Sequence, residues 1–220
     1  EKIRVTPNGI NAQALADLPG KTEEEQQFIN AGAVLRVTPI KDVKTMIQAF
    51  AFAKKKVKNM KLWIMGPADE DKKYAKECYD LVKQMELQNI IFTGRVDIVQ
   101  YMRKLDFTIL TSISEGQPLS VLESFAARRP CVTTDVGCCR ELLNGKEGDN
   151  FGCAGYCVPP MYRDGLAAAM EKMCESRRRR IRMGKSGQAR TKAYYRHERM
   201  ISEYRKLYRE VEEAYGRDWI

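Results

Sequence analysis

The chain of 220 residues holds one histidine, His197, flanked by Arg196 and Glu198 in a charged stretch, so a histidine-centred triad has little basis within it. Its seven cysteines are odd in number, irregularly spaced, and include no paired Cys-x2-Cys arrangement. That pattern fits neither a disulfide framework nor a zinc site; buried or half-buried thiols in a reducing compartment are expected, with no metal. No apolar run approaches the ~20 residues of a membrane-spanning helix. The start, Glu1-Lys2-Ile3-Arg4, shows no signal-peptide pattern, and the cytoplasm is the expected location. Gly-x-Gly-x-x-Gly is also missing, which removes support for a nicotinamide or flavin oxidoreductase. Gly184-Lys185-Ser186 imitates the end of a P-loop, but Arg179 stands where the first glycine belongs and no strand precedes it.

What is present in excess is positive charge, 38 basic against 29 acidic side chains for a net +9, which favours anionic ligands or surfaces. Much of it lies in Arg177-Arg178-Arg179-Arg180-Ile181-Arg182. A solvated helix face is the plain reading of such a run, with an anionic membrane or nucleic acid as alternatives. No aromatic ladder or recognised nucleic-acid module accompanies it, so no nucleic-acid partner is expected.

Short apolar runs alternate with longer amphipathic ones. Residues 33–37, 61–65, 90–93, 107–111, 131–134 and 156–158 read as strands. Helical patterns occupy 42–56, 71–85, 98–104, 118–127, a short stretch near Arg140, 163–176, and two further stretches to Tyr215. Residues 11–32, polar and rich in Glu and Gln, read as a loop and a solvated helix ahead of the sheet. The order predicts an α/β domain, a parallel sheet of about six strands with helices on both faces. Ligands of such sheets bind beyond the carboxyl ends of the strands, where the candidate residues should lie.

The most specific motif is Glu115-Gly116-Gln117-Pro118-Leu119-Ser120-Val121-Leu122-Glu123, in which a strand feeds a glycine turn and then a helix. Pro118 suits the first helical position, and the free N–H groups of that turn, with the helix dipole, can hold a phosphate. Glu115 before the turn and Glu123 more than a turn inside could grip two parts of one elongated ligand. A capping acid and a solvated acid are the plainer alternative. Arg36 closes the first apolar run and Lys41 follows five residues later, across a turn, so both could converge on one anion. Gly66 and Gly94 each follow a strand, where a small residue lets backbone approach a ligand or simply makes a turn. Cys138 and Cys139 lie in a further strand-to-helix turn facing the same cleft.

Glu-x7-Glu after a strand, followed by Ala126-Ala127-Arg128-Arg129-Pro130-Cys131-Val132 and Thr134-Asp135-Val136-Gly137, resembles the carboxyl-terminal domain of family 4 glycosyltransferases. The wording at 110–119 and 135–142, with Arg36 to Thr45 and Gly66 to Asp71, is most similar to the PelF branch, associated with the Pel exopolysaccharide. The resemblance implies a Rossmann-like domain, residues 11–193, forming the carboxyl-terminal half of a GT-B fold. It implies a retaining transferase that moves a hexosyl unit from a nucleotide diphosphate sugar, a UDP-sugar, to a growing exopolysaccharide without a metal or other cofactor. In the family, an arginine and a lysine at the spacing of Arg36 and Lys41 hold the diphosphate. Glu115 would contact donor-sugar hydroxyls and Glu123 the ribose. Gly116, Gln117, Pro118 and Leu119 would present N–H groups, and the loops at Gly66 and at Gly94-Arg95-Val96 would reach the nucleotide, the latter its base. Asp42 departs from the glycine of many relatives.

By the same resemblance, Pro7-Asn8-Gly9-Ile10 corresponds to the linker from an amino-terminal Rossmann domain, making residues 1–10 a linker remnant. That domain, which supplies much of the acceptor site, is expected outside this chain, and the isolated chain is expected to be inactive. Residues 194–220, with tyrosines at 194, 195, 204, 208 and 215, correspond to the helix that crosses back to it, leaving apolar surface and a tendency to self-associate. The PelF branch also implies work beside an inner-membrane synthase complex. A GT-B nucleotide-sugar epimerase and a non-catalytic sugar-nucleotide or polyanion-binding module are the alternative readings.

Overall fold

A computed structural model describes residues 3–216. In chain order these form α1 (Gln13–Ala16), α2 (Glu23–Gln26), β1 (Ile29–Val34), a 3-10 turn (Pro39–Lys41), α3 (Val43–Lys56), β2 (Met60–Met65) and α4 (Lys72–Gln84). There follow β3 (Ile90–Gly94), α5 (Ile98–Met102), β4 (Phe107–Leu110), α6 (Leu119–Ala126), β5 (Cys131–Thr134), α7 (Cys139–Asn144) and β6 (Gly155–Val158). Three helices close the chain: α8 (Arg163–Glu175), α9 (Arg177–Tyr194) and α10 (His197–Tyr215).

The six strands pair in parallel in the order β3-β2-β1-β4-β5-β6. Strand side chains alternate between faces, so each face needs its own apolar cover. Leu62, Ile64, Phe107 and Ile109 join Met46, Ile47 and Phe50 of α3 and Met170 of α8 on one side. Met65 and Leu110 join Val121, Leu122 and Phe125 of α6 with Leu105 and Met102 on the other. The chain runs outward through β1, β2 and β3, then returns to lay β4 beside β1. The strand order therefore reverses between β1 and β4, and the loops after those two strands flank the crevice where such sheets take ligands.

Two expectations need correction. Strand β1 begins at Ile29 and ends at Val34, so residues 11–32 hold two short helices and the first four of that strand's six residues. Its run, Ile29-Asn30-Ala31-Gly32, hides its nature because tertiary contacts select small and polar residues there. A Cβ at Gly32 would collide with the side chain of Leu105. Asn30 donates to Lys104 O and accepts from Trp63 Nε1. Secondly, Pro118 is the residue capping α6, with φ −72° and ψ 118°, and the helix proper starts at Leu119.

The segment before α1 lies along α10. Ile10 donates to Tyr195 O at 2.9 Å and accepts from His197 N at 3.1 Å, while Arg4 reaches Glu203 and Glu210. Tyr204, Tyr208 and Val211 of α10 remain exposed. Residues 217–220 of the tail lie outside the described residues. Among the described residues, no helix is long and apolar enough to cross a membrane.

Candidate functional site

At the carboxyl ends of the central strands the backbone ladder continues past the strands themselves. Leu35 N donates to Met65 O at 2.9 Å, Val37 N to Pro67 O at 2.9 Å, and Gly66 N to Gly94 O at 2.8 Å. Arg36, between two residues held in this way, is fixed at its backbone while its side chain is exposed. Gly66, at φ +143°, is required: a Cβ there would meet Leu35 O. Gly94 has φ +67° and open space around it, so it serves the turn. Together these loops line a cavity of about 430 Å³ that includes Arg36, Lys41, Gly66, Arg95 and Val96.

The loops after β1 and β4 are joined directly. Ile113 N donates to Ile40 O at 2.9 Å, and Thr111 Oγ1 donates to Lys41 O at 2.7 Å. Lys41 Nζ then reaches Glu115 Oε1 at 2.6 Å, both side chains being less than one-fifth exposed. The hydroxyl of buried Ser112 donates to the same Glu115 oxygen at 2.6 Å. Asp42, just after Lys41, adopts φ 45° and ψ 50° and caps α3 through Thr45 N. Glycine suits that backbone at no steric cost; aspartate tolerates it and adds the cap.

Beyond Glu115 the turn is cradled by the loop after β5. Cys138 N donates to Gly116 O at 3.0 Å, and at Gly137, φ +52°, a Cβ would collide with the carbonyls of Glu115 and Gly116. Gln117 is held from another direction, its Oε1 accepting from Asn8 N at 2.5 Å. Among the described residues no side chain caps the first turn of α6, where Pro118 is buried and Leu119 is 47% exposed. The start of α6 thus keeps donor capacity beside the Lys41–Glu115 pair. One turn further on, Glu123 is half-buried and makes no side-chain hydrogen bond or ion pair among the described residues. Burial pushes its carboxyl above the usual carboxylate range.

Most of the residues singled out from sequence thus gather at one end of the sheet, and Arg36 and Lys41 each have a carboxylate partner of their own. Lys41 holds Glu115, whereas Arg36 donates both ways to Glu70 at 2.7 Å. Arg95 is 76% exposed at its side chain and lies 3.9 Å from Asp69, so this loop offers its backbone and Val96 to the cavity. Sequence reasoning missed Glu70, Ser112 and Asn8. Ser112 sits three residues before Glu115, and Glu70 four after Gly66, but neither residue type signals a partner by itself. Burial raises the Cys138 thiol to about 11, so it is inert at neutral pH. Among the described residues, no group of three or more His, Cys, Asp or Glu is placed to hold a metal ion.

A family model described as glycosyl transferases group 1 matches residues 16–190, which include every strand and the whole crevice. The chain belongs to that family. Among curated relatives, this glycosyltransferase chain is 26% identical over 194 residues to N-acetyl-alpha-D-glucosaminyl L-malate synthase of Bacillus anthracis, covering 87% of this chain and 47% of the relative. It is 31% identical over 170 residues to alpha-monoglucosyldiacylglycerol synthase of Streptococcus pneumoniae, covering 70% of this chain and 36% of the relative. Among solved structures, sucrose-phosphate synthase of Thermosynechococcus elongatus superposes with a TM-score of 0.80 at 20% identity, over 96% of this chain and 53% of that one. HepE of Anabaena in complex with UDP-glucose gives 0.80 at 19% identity, over 94% of this chain and 57% of that one. The chain spans about half the length of these relatives or less. Its fold matches that of GT-B glycosyltransferase structures.

Proposed function

We propose that this chain is the donor-binding half of a retaining glycosyltransferase that moves a hexosyl unit from a UDP-sugar to a growing exopolysaccharide, in the manner of the PelF branch. The observation that carries this reading is the Lys41–Glu115 pair at the reversal of strand order, beside the uncapped start of α6. A donor diphosphate entering there meets Lys41, Arg36 and the N–H groups of α6. Departure of the diphosphate builds negative charge, and groups already aimed at it stabilise the transition state more than the ground state. The helix terminus contributes ~0.3–2 kcal/mol, so the two cations carry the larger share.

Lys41 exchanges its carboxylate for phosphate when donor binds, which frees Glu115 for the hydroxyls of the sugar, with Ser112 holding its other contact. Glu123, with spare acceptor capacity one turn along α6, accepts from the ribose hydroxyls. The loop at Gly94-Arg95-Val96 receives the base. Neither glutamate acts as a covalent nucleophile, and the basic residues take the place of a metal. HepE, a structural neighbour, has been solved with UDP-glucose, in keeping with a uridine donor. Residues 3–10 act as an interdomain linker, and the exposed Tyr204, Tyr208 and Val211 of α10 face an amino-terminal domain that completes the acceptor site.

Isothermal titration with UDP, UDP-glucose, UDP-N-acetylglucosamine and ADP, each with magnesium and with EDTA, tests the proposal. Saturable binding that prefers uridine and is indifferent to magnesium supports it. Preference for ADP, or strict dependence on magnesium, overturns it.

A further inference from the structure

At the opposite end of the sheet, beneath the amino ends of β1 and β4, lies a second cavity of about 300 Å³. Five cations line it, Lys21, Arg128, Arg129, Arg177 and Arg180, against one carboxylate, Asp106. That carboxylate is already spent: Oδ2 accepts from Lys21 Nζ at 2.6 Å and from Asn30 N at 2.8 Å, and Oδ1 lies 3.7 Å from Arg180. Glu25 and Glu175, on flanking segments, pair with Arg103 and Arg179. Arg128 and Arg177 therefore make no ion pair among the described residues, and Arg129 feels the charge of Asp106 only from beyond ion-pair distance.

The backbone around the cavity is built to hold these cations in place. Arg128 takes φ +56°, and Gly184 of α9 lies so close to its carbonyl that any side chain at 184 would collide with it. Arg128 Nε donates to Gln188 Oε1 at 3.0 Å. Arg129 gives Nε and Nη2 to the carbonyls of Met102 and Arg103, and Arg180, 7% exposed, gives Nη1 to those of Met173 and Cys174. The arginine run is thus no simple solvated face: Arg178 is exposed, but Arg180 is buried. Moreover, Arg177 to Arg180 fill the first turn of α9, which contains no acid, where the helix dipole opposes cations. Arg128, Arg129, Arg177 and a helix amino terminus around one hollow have the charge and the donors to hold an anion.

We propose that this cavity is a second anion site, separate from the donor crevice, which takes a phosphate group. The phosphate is that of a free phosphomonoester or of an acidic lipid headgroup, which share the same recognition chemistry. Arg177 and Arg128 supply exposed forks at the rim, and Arg129 the charge at the wall.

The test is titration of the full chain with inorganic phosphate in chloride buffer, and flotation with phosphatidylglycerol or phosphatidylcholine vesicles. Wild type, Lys41→Ala and the double variant Arg128→Ala/Arg177→Ala are compared, after melting curves show each to be folded. The expected result is saturable phosphate binding that survives Lys41→Ala and weakens at least tenfold in the double variant. Flotation on phosphatidylglycerol alone, lost in the double variant, also supports the site and assigns the phosphate to lipid. Phosphate binding abolished by Lys41→Ala, binding and flotation unchanged in the double variant, or no saturable binding in either arm overturns it.

Discussion

Two ion pairs in this molecule are similar in length and opposite in design. Arg190 Nε lies 2.6 Å from Asp149 Oδ2, with side chains 1% and 0% exposed, and Lys41 Nζ lies 2.6 Å from Glu115 Oε1 at the crevice. Arg190 also donates to the carbonyls of Leu142, Leu143 and Gly152, so its guanidinium is saturated and it locks the loop between α7 and β6 to α9. Lys41 has a single side-chain partner among the described residues, and that partner is within reach of solvent. An enclosed, fully bonded pair has no capacity left for a ligand; one at the mouth of a crevice can exchange its partner.

The contrast breaks most severely at Arg190. Arg190→Met strands Asp149 in a site built for its charge, and the loss is expected to be ~3–5 kcal/mol in urea unfolding. Acid should act through the same pair. Burial alone would raise the Asp149 carboxyl, but Arg190 and Phe151 N–H hold it below the usual carboxylate range. The stability this provides is present above the unfolded pKa of an aspartate, ~3.9, and disappears as pH falls through the lower folded value. Unfolding midpoints of the wild type should therefore drop more steeply in acid than those of Arg190→Met.

Lys41→Ala should reverse the pattern. Its expected cost in stability is under ~1 kcal/mol, as for partly exposed pairs, while UDP affinity falls by ~1.5–3 kcal/mol, the worth of a charged hydrogen bond. A large loss of stability with unchanged UDP affinity would make this pair structural as well. Glu123→Gln comes next. Its carboxyl pKa is raised by burial, so ionisation costs stability as pH rises through the folded value, and the amide variant should escape that fall. Its UDP affinity should fall by ~0.5–1.5 kcal/mol through loss of an acceptor to ribose, more than Glu115→Ala loses for UDP alone. Smallest is Arg36→Ala, whose pair with Glu70 is about half exposed: the expected stability change is within ~0.5 kcal/mol, so any loss of UDP affinity is read without a folding correction.

The fold was legible where local pattern and tertiary demand agree. Cys131 to Thr134 reads as a strand and is one, and the crevice follows from strands alternating with helices. It was illegible at Ile29 to Gly32, where packing against Leu105 and the bonds of Asn30 override the apolar signal. The gathering of the candidate residues was legible in the glycines, because a turn at φ +143° whose Cβ would meet a carbonyl admits few residue types. Its pairing was not. Whether Arg36 meets Glu115, Glu70 or an anion depends on loop paths set by ladder bonds such as Val37 to Pro67, which carry no side-chain signature. The burial of Arg180 was hidden for a similar reason, since a run of arginines looks the same from any face of a helix.

The most direct measurement is amide chemical-shift mapping of the chain titrated with UDP. If the crevice at the reversal of strand order is the donor site, Gly66, Gly94, Gly116 and Leu119 shift together and saturate with one dissociation constant, while Gly145 and Gly152 beside Arg190 stay still. Shifts confined to Lys21, Arg129 and Arg177, with the four crevice residues unmoved, would contradict the assignment.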